Sequence, residues 1–273
     1  MIVDAATLAG GANNQDAYAV VGRALVVLDG ASAFPPVRPE RDGGWYARTL
    51  RDAIRERLPE SDHSLARILA DSIAQVRDDY ELRPGGPSST VVMARVNIDT
   101  VDVLVLGDST LVIQHPDDTC TAIIDDRLAQ VAKAKRKGYR EQLRDGGGYD
   151  DEHVQRLAGL QAAQRLVRNQ PGGYWIAESD PAAATQAISR TVPLDQVHAL
   201  LLLTDGAAAG VVTYGAPKTW PELVQQVDSA GAQQVLDGLH ELEETDPAGQ
   251  RWPRSKPHDD KTVILVRDLI SGA

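Results

Sequence analysis

Six short runs of Ala, Val, Leu and Ile, each four to six residues long, constrain this 273-residue chain more than any other feature: Ala24 to Leu28, Val91 to Val96, Val101 to Leu106, Leu111 to Gln114, Ala199 to Leu203 and Thr262 to Val266. Continuous apolar runs of that length, bounded by turn residues, read as buried strands. They require at least one sheet with a covered face. Between the first and second runs lie two longer segments with helical spacing. Gly44 to Leu58 places Trp45, Leu50, Ile54 and Leu58 on one side, and Ser64 to Tyr80 does the same with Leu65, Ile68, Leu69, Ile73 and Val76. Ser64 is suited to cap the second. Two amphipathic helices laid against the sheet are expected, ended by the Pro84-Gly85-Gly86-Pro87 break.

Further along, the basic stretch Lys133 to Arg144, the break at Gly146-Gly147-Gly148 and a helical pattern from Asp151 to Asn169 predict a helical hairpin inserted between strands, over about residues 127–170. A helix over Trp220 to Glu244 and a polar, Pro-rich loop from Asp246 to Pro257 precede the last strand. With no repeat and no Pro/Gly/Ser linker, one domain over residues 1–273 carrying that insertion is the expectation.

Composition narrows the partners. Acidic residues outnumber basic ones 39 to 28, a net charge of −11, and aromatics are only 4%, so neither a phosphate-backbone binder nor a base-stacking surface is expected. Such a chain suits cations. The single cysteine, Cys120, excludes an intramolecular disulfide and a Cys-rich metal site. Neither a signal-like amino terminus nor a long apolar stretch is present, so a cytoplasmic protein without membrane contact is expected.

The chemistry sits at the strand ends. One run stops at Asp29-Gly30, another at Asp205-Gly206, and the last begins after Asp259-Asp260. Asp-Gly pairs are ordinary turn formers, and each alone would mean little. Together they imply more: if the last strand runs antiparallel to the other two, its start lies at the same sheet edge as their ends and the carboxylates converge. Asp16 reaches that edge across a hairpin from Asp29, with Val20 to Arg23 as the turn, and Asp108 follows a further strand. Clustered anions repel unless a cation sits between them. A set of oxygen ligands with neither Cys nor paired His selects Mg²⁺ or Mn²⁺. Two such ions suggest hydrolysis of a phosphate ester by water activated on the metals, with no covalent intermediate on the enzyme.

These residues resemble the metal-dependent serine/threonine protein phosphatases of type 2C, the PPM family. The resemblance is carried by N-Q-D at Asn14 to Asp16, V-L-D-G at Val27 to Gly30 and S-S-T-V-V at Ser88 to Val92. It continues with L-G-D-S at Leu106 to Ser109, L-L-T-D-G at Leu202 to Gly206 and D-D-K-T-V at Asp259 to Val263, spanning about residues 13–267. It implies an α+β fold, a four-layer α-β-β-α sandwich with two central antiparallel sheets, and makes the insertion a variable flap. By position it implies that Asp29 bridges two metal ions, that the Gly30 carbonyl binds the second, that Asp205 and Asp259 hold the first, and that Asp16 contacts the pair mainly through water. Asp108 matches a residue that joins Asp205 at a third, weaker ion in many bacterial members.

The sequence also departs from that pattern. Gly11 stands where members carry an Arg that grips the substrate phosphate, and Ala31-Ser32-Ala33-Phe34-Pro35-Pro36 replaces the usual continuation after Asp-Gly. Gly-Asp-Ser is followed by Thr110 rather than Arg, and the last motif is Asp-Asp-Lys-Thr rather than Asp-Asn-x-Thr. Arg38 or Arg41, in the loop leaving Asp29 and Gly30, is expected to replace the clamp, since a guanidinium matches phosphate oxygens in a two-pronged fashion. His258, beside Asp259, is weighed as a proton donor to the leaving group against a loop histidine without a role. Three functions stay open: a phosphatase of phosphoserine and phosphothreonine in proteins, a phosphatase of a small phosphorylated metabolite, and a non-catalytic relative of the same fold.

Overall fold

The computed structural model describes residues 1–32, 39–59 and 62–269. Ten strands run in chain order as β1 (Ile2–Leu8), β2 (Asp16–Val21), β3 (Ala24–Gly30), β4 (Ser89–Val96), β5 (Thr100–Leu106), β6 (Thr110–Gln114), β7 (Cys120–Ile124), β8 (Ile188–Pro193), β9 (Ala199–Leu203) and β10 (Lys261–Arg267). The helices are α1 (Gly43–Arg57), α2 (Leu65–Tyr80), α3 (Arg127–Gln130), α4 (Lys133–Arg144), α5 (Asp151–Arg165), α6 (Asp205–Ala209), α7 (Trp220–Ala230) and α8 (Ala232–Glu244).

The strands form two five-stranded sheets, β1-β10-β9-β6-β7 and β2-β3-β4-β5-β8, with antiparallel pairing throughout. Alternation along each strand explains why the runs are apolar without interruption. In β3, Leu25 and Val27 face the other sheet, where they meet Leu200, Leu202, Ile264 and Val266; Val26 and Leu28 face α1 and α2, where they meet Leu50, Ile54 and Ile73. In β9, Leu200 and Leu202 join the inter-sheet core, while Leu201 and Leu203 pack under α7 and α8 with Leu223, Val227 and Leu236. The result is the four-layer α-β-β-α sandwich expected from the resemblance.

Caps set the ends of the first two helices. The Asp42 carboxylate accepts from the Trp45 amide at 2.8 Å, and the Ser64 hydroxyl accepts from the Arg67 amide at 3.3 Å. The helix expected over Trp220 to Glu244 is two helices. Gly231 adopts a φ of +93°, outside helical space, and the chain turns there so that α7 and α8 pack on each other. Between β7 and β8, α4 and α5 pack through Tyr139, Leu143, Leu157 and Leu160. They are tied to the sandwich where His153 Nε2 meets the Ser255 carbonyl at 2.9 Å and Gln161 Nε2 donates to the Ser32 carbonyl at 2.8 Å. Among the described residues no helix is long and apolar enough to cross a membrane.

Candidate metal centre

Asp16 and Asp29 face each other as register partners in the β2–β3 hairpin. Asp205 opens α6 directly after β9, Asp259 precedes β10, and Asp108 follows β5 through Gly107, whose φ of +84° makes the turn. The expectation of one shared sheet edge needs a correction. β3 and β5 belong to one sheet while β9 and β10 belong to the other, so the carboxylates meet across facing ends of two stacked sheets. The cleft between the layers, not a single edge, brings them together.

Close backbone packing fixes the floor of this cleft. A Cβ on Gly30 would overlap the Gly43 backbone and one on Gly206 would overlap the Asp260 carbonyl, so both Asp-Gly pairs need the glycine for contact. Gly10 has the same role: a Cβ there would come within 2.5 Å of the Asp259 carbonyl carbon. Asp260 holds the first motif against the last, accepting from the Gly10 amide at 2.8 Å and the Gln15 amide at 3.1 Å. That role explains the second Asp of Asp-Asp-Lys-Thr.

Asp16 is the most enclosed of the group. Its Oδ2 accepts from the Thr204 hydroxyl at 2.9 Å and the Thr262 hydroxyl at 2.8 Å. Its Oδ1 is buried with no hydrogen-bond partner. Burial raises the Asp16 carboxyl well above the usual range, more than the two hydroxyls lower it. Asp29 is raised well above that range too, by burial and then by Asp205, Asp16 and Asp259. Burial also raises Asp108, against a partial offset from Arg136. Asp205, although its side chain still meets solvent in the cleft, is pushed up to about 7 by enclosure among protein atoms, with Asp259 and Asp108 adding to the effect. Five aspartates thus sense one another, and four are harder to ionise than free aspartate.

Such an arrangement fits a hard divalent cation. It offers carboxylate oxygens, one of them buried and unsatisfied, among mutually repelling groups. The carboxylates stand around the cleft without collapsing on a point. Among the described residues, the one trio of His, Cys, Asp or Glu donors within 4.8 Å of one another is His240, Glu243 and His258. That trio is already filled: Glu243 accepts from the Tyr214 hydroxyl at 2.8 Å, from the Lys261 ammonium at 2.7 Å and faces His258 Nδ1 at 3.0 Å. The His258 ring stacks on His240 and is held on α8.

Two lysines passed over in the sequence reading stand at the centre. Lys261, fully buried, links Glu243 to the Asp259 carbonyl at 2.8 Å and so anchors the turn carrying Asp259. Lys256 places its ammonium 2.6 Å from Asp259 Oδ1 and 3.1 Å from the Ser32 hydroxyl. Burial opposes its charge, but Asp259, Asp260 and Asp29 outweigh burial and hold the ammonium above its ordinary range. The signal for Lys256 was its spacing, three residues ahead of Asp259. Arg41 is engaged elsewhere: it donates to the Tyr80 carbonyl at 3.1 Å and lies over the Trp45 and Tyr80 rings. Arg38 lies outside the described residues. Gly11 is exposed, with open space where a side chain would begin.

Comparison with known proteins bears on the family and the fold. The family model described as Protein phosphatase 2C matches residues 5–242. No curated protein matches the sequence. Among solved structures, the fold is similar to the PPM Ser-Thr phosphatase MsPP of Mycobacterium smegmatis, in complex with cacodylate, with a TM-score of 0.58 at 19% identity over 98% of each chain. It is also similar to the serine/threonine phosphatase Stp1 of Staphylococcus aureus, with a TM-score of 0.57 at 15% identity over 97% of this chain and 94% of that one. The catalytic domain of PstP, in complex with two manganese ions, gives 0.56 at 16% identity over 97% and 96%.

Proposed function

Because this chain belongs to the protein phosphatase 2C family, we propose that it is a Mg²⁺- or Mn²⁺-dependent phosphomonoester hydrolase acting on phosphoserine and phosphothreonine in proteins. The observation that carries the reading is Asp16 Oδ1, buried without a partner in a cleft where burial, with neighbouring carboxylates, holds Asp16, Asp29, Asp108 and Asp205 above the usual carboxylate range. Protein carboxylates so placed are stable as anions only with a cation among them.

In this reading Asp29, the Gly30 carbonyl, Asp205 and Asp259 would hold two ions with Asp16 beside them, and Asp108 with Asp205 would offer a third, weaker position. Metal bound there would lower the pKa of a water molecule and offset charge on the phosphoryl oxygens. The chain's own residues supply the geometry. Thr204 and Thr262 fix Asp16 by its Oδ2 and leave Oδ1 for the cleft. Thr262 is itself oriented by Thr7 at 2.8 Å, which receives the Asn14 amide at 2.8 Å, so Asn14 of the first motif acts through a relay of hydroxyls. Asp260 and Lys261 clamp the segment that carries Asp259.

A second reading, hydrolysis of a small phosphorylated metabolite, is favoured by Gly11, whose place is open where a phosphate-gripping side chain would stand. A Mn²⁺-dependence assay on a generic aryl phosphate, followed by phosphopeptide and metabolite panels, tests both. Activity should survive alkylation of Cys120 and vanish with chelator; chelator-resistant hydrolysis by the pure chain would overturn the mechanism.

A further inference from the structure

Lys256 has no counterpart among the residues that the metal reading uses, yet its ammonium sits on one of them. It bridges the two motifs that bound the cleft, reaching Asp259 Oδ1 at 2.6 Å on one side and the Ser32 hydroxyl at 3.1 Å on the other. Ser32 lies two residues beyond Gly30, and its own hydroxyl donates to Gln15 Oε1 at 2.5 Å, so this anchor is fixed to the motif carrying Asp16. The Lys256 side chain is one-quarter exposed.

Charge balance gives that ammonium a task. Asp16, Asp29, Asp205 and Asp259 cancel two divalent ions, and nothing in that set remains to offset a bound phosphate dianion. Among the described residues, Arg41 donates to the Tyr80 carbonyl and Arg48 to the Asn14 carbonyl at 3.0 Å. An ion taking the Asp259 carboxylate would displace the ammonium from Oδ1. A flexible four-carbon stem lets it move by a rotamer change while the backbone stays in place.

Building on the phosphatase reading, we propose that Lys256 is the phosphate-binding cation of this site: it neutralises Asp259 while the carboxylates are bare, and turns to the phosphoryl oxygens once a divalent ion holds Asp259. It takes over the work of the arginine whose place Gly11 occupies. Two consequences pull in opposite directions, which separates this role from a structural strut. Removing the ammonium frees Asp259 for the ion, so metal affinity rises; it also removes a charge-assisted contact, so phosphate affinity falls.

The experiment uses the full chain with Lys256→Gln and Lys256→Arg, each checked by thermal unfolding. Calorimetry first measures Mn²⁺ affinity, then affinity of the Mn²⁺-saturated protein for inorganic phosphate. Lys256→Gln should bind Mn²⁺ about 5-fold tighter or more and phosphate about 10-fold weaker or more, while Lys256→Arg keeps phosphate affinity within about 3-fold of the parent. If Lys256→Gln binds phosphate as the parent does, or binds Mn²⁺ more weakly, Lys256 is a strut and the proposal falls while the metal reading stands. If neither the parent nor Lys256→Gln takes up Mn²⁺, both fall together.

Discussion

Metal binding at this cleft must release protons, and the structure sets the size of the effect. Asp205 is pushed up to about 7 by its enclosure and by Asp259 and Asp108, so in the metal-free chain it is about nine-tenths protonated at pH 6 and about one-tenth at pH 8. A cation is bound by the ionised carboxylate, so at pH 6 uptake of Mn²⁺ expels about one proton from Asp205. Integrated from pH 6 to pH 8, that single group makes Mn²⁺ affinity about 10-fold tighter at the higher pH. Asp16, Asp29 and Asp108 are raised as well, so this is a floor. Calorimetry at pH 6 in two buffers of different ionisation enthalpy counts the protons directly. Release of fewer than about 0.2 protons, with equal affinity at pH 6 and 8, would refute the crowded-carboxylate description. Stability of the metal-free chain runs the opposite way with pH. A carboxylate whose folded pKa is raised favours the fold below its unfolded value and loses that contribution as pH rises through the folded one. The metal-free chain should therefore melt at lower temperature as pH climbs from 5 to 8, and saturating Mn²⁺ should remove or reverse the trend.

Other substitutions probe the supports. Asp29→Asn and Asp205→Asn should each abolish measurable Mn²⁺ binding with the fold intact by circular dichroism; parent-like binding in both would contradict the ligand assignment. Lys261→Met leaves Glu243 buried and short of its cation, and should cost about 3–5 kcal/mol in urea unfolding, most of it regained in Lys261→Met with Glu243→Leu. Gly206→Ala drives a Cβ into the Asp260 carbonyl and should cost about 2–3 kcal/mol or more while weakening Mn²⁺ binding; a neutral outcome in both would show that the β9 turn relaxes freely.

Much of this was readable in the chain itself, for reasons of local physics. Alternation and run length identified β3, β4, β5, β6, β9 and β10, because each strand is covered on both faces and reads as unbroken apolar sequence. The strands β1 and β8 escaped. β1 lies at an edge of its sheet and β8 at an edge of the other, both only half covered, so their sequences carry little apolar signal. The Asp-Gly pairs marked the chemistry because a carboxylate followed by a residue without Cβ leaves room for backbone packing beside the ligand.

Tertiary structure alone decided which groups meet. That Asp29 and Asp205 come from different sheets, that Asp260 clips Gly10 and Gln15, and that Thr204 and Thr262 hold one oxygen of Asp16 while leaving the other bare are long-range facts, fixed by how two sheets stack. No local pattern encodes them. The same holds for the cations. In sequence Lys256 and Lys261 are two charges in a polar loop and at a strand start, and Arg41 is the better phosphate ligand by chemistry. Folding turns Arg41 onto Trp45 and Tyr80 and brings both lysines to Asp259, because the ends of charged side chains go where carboxylates and carbonyls await them, and only the packed layers determine where that is.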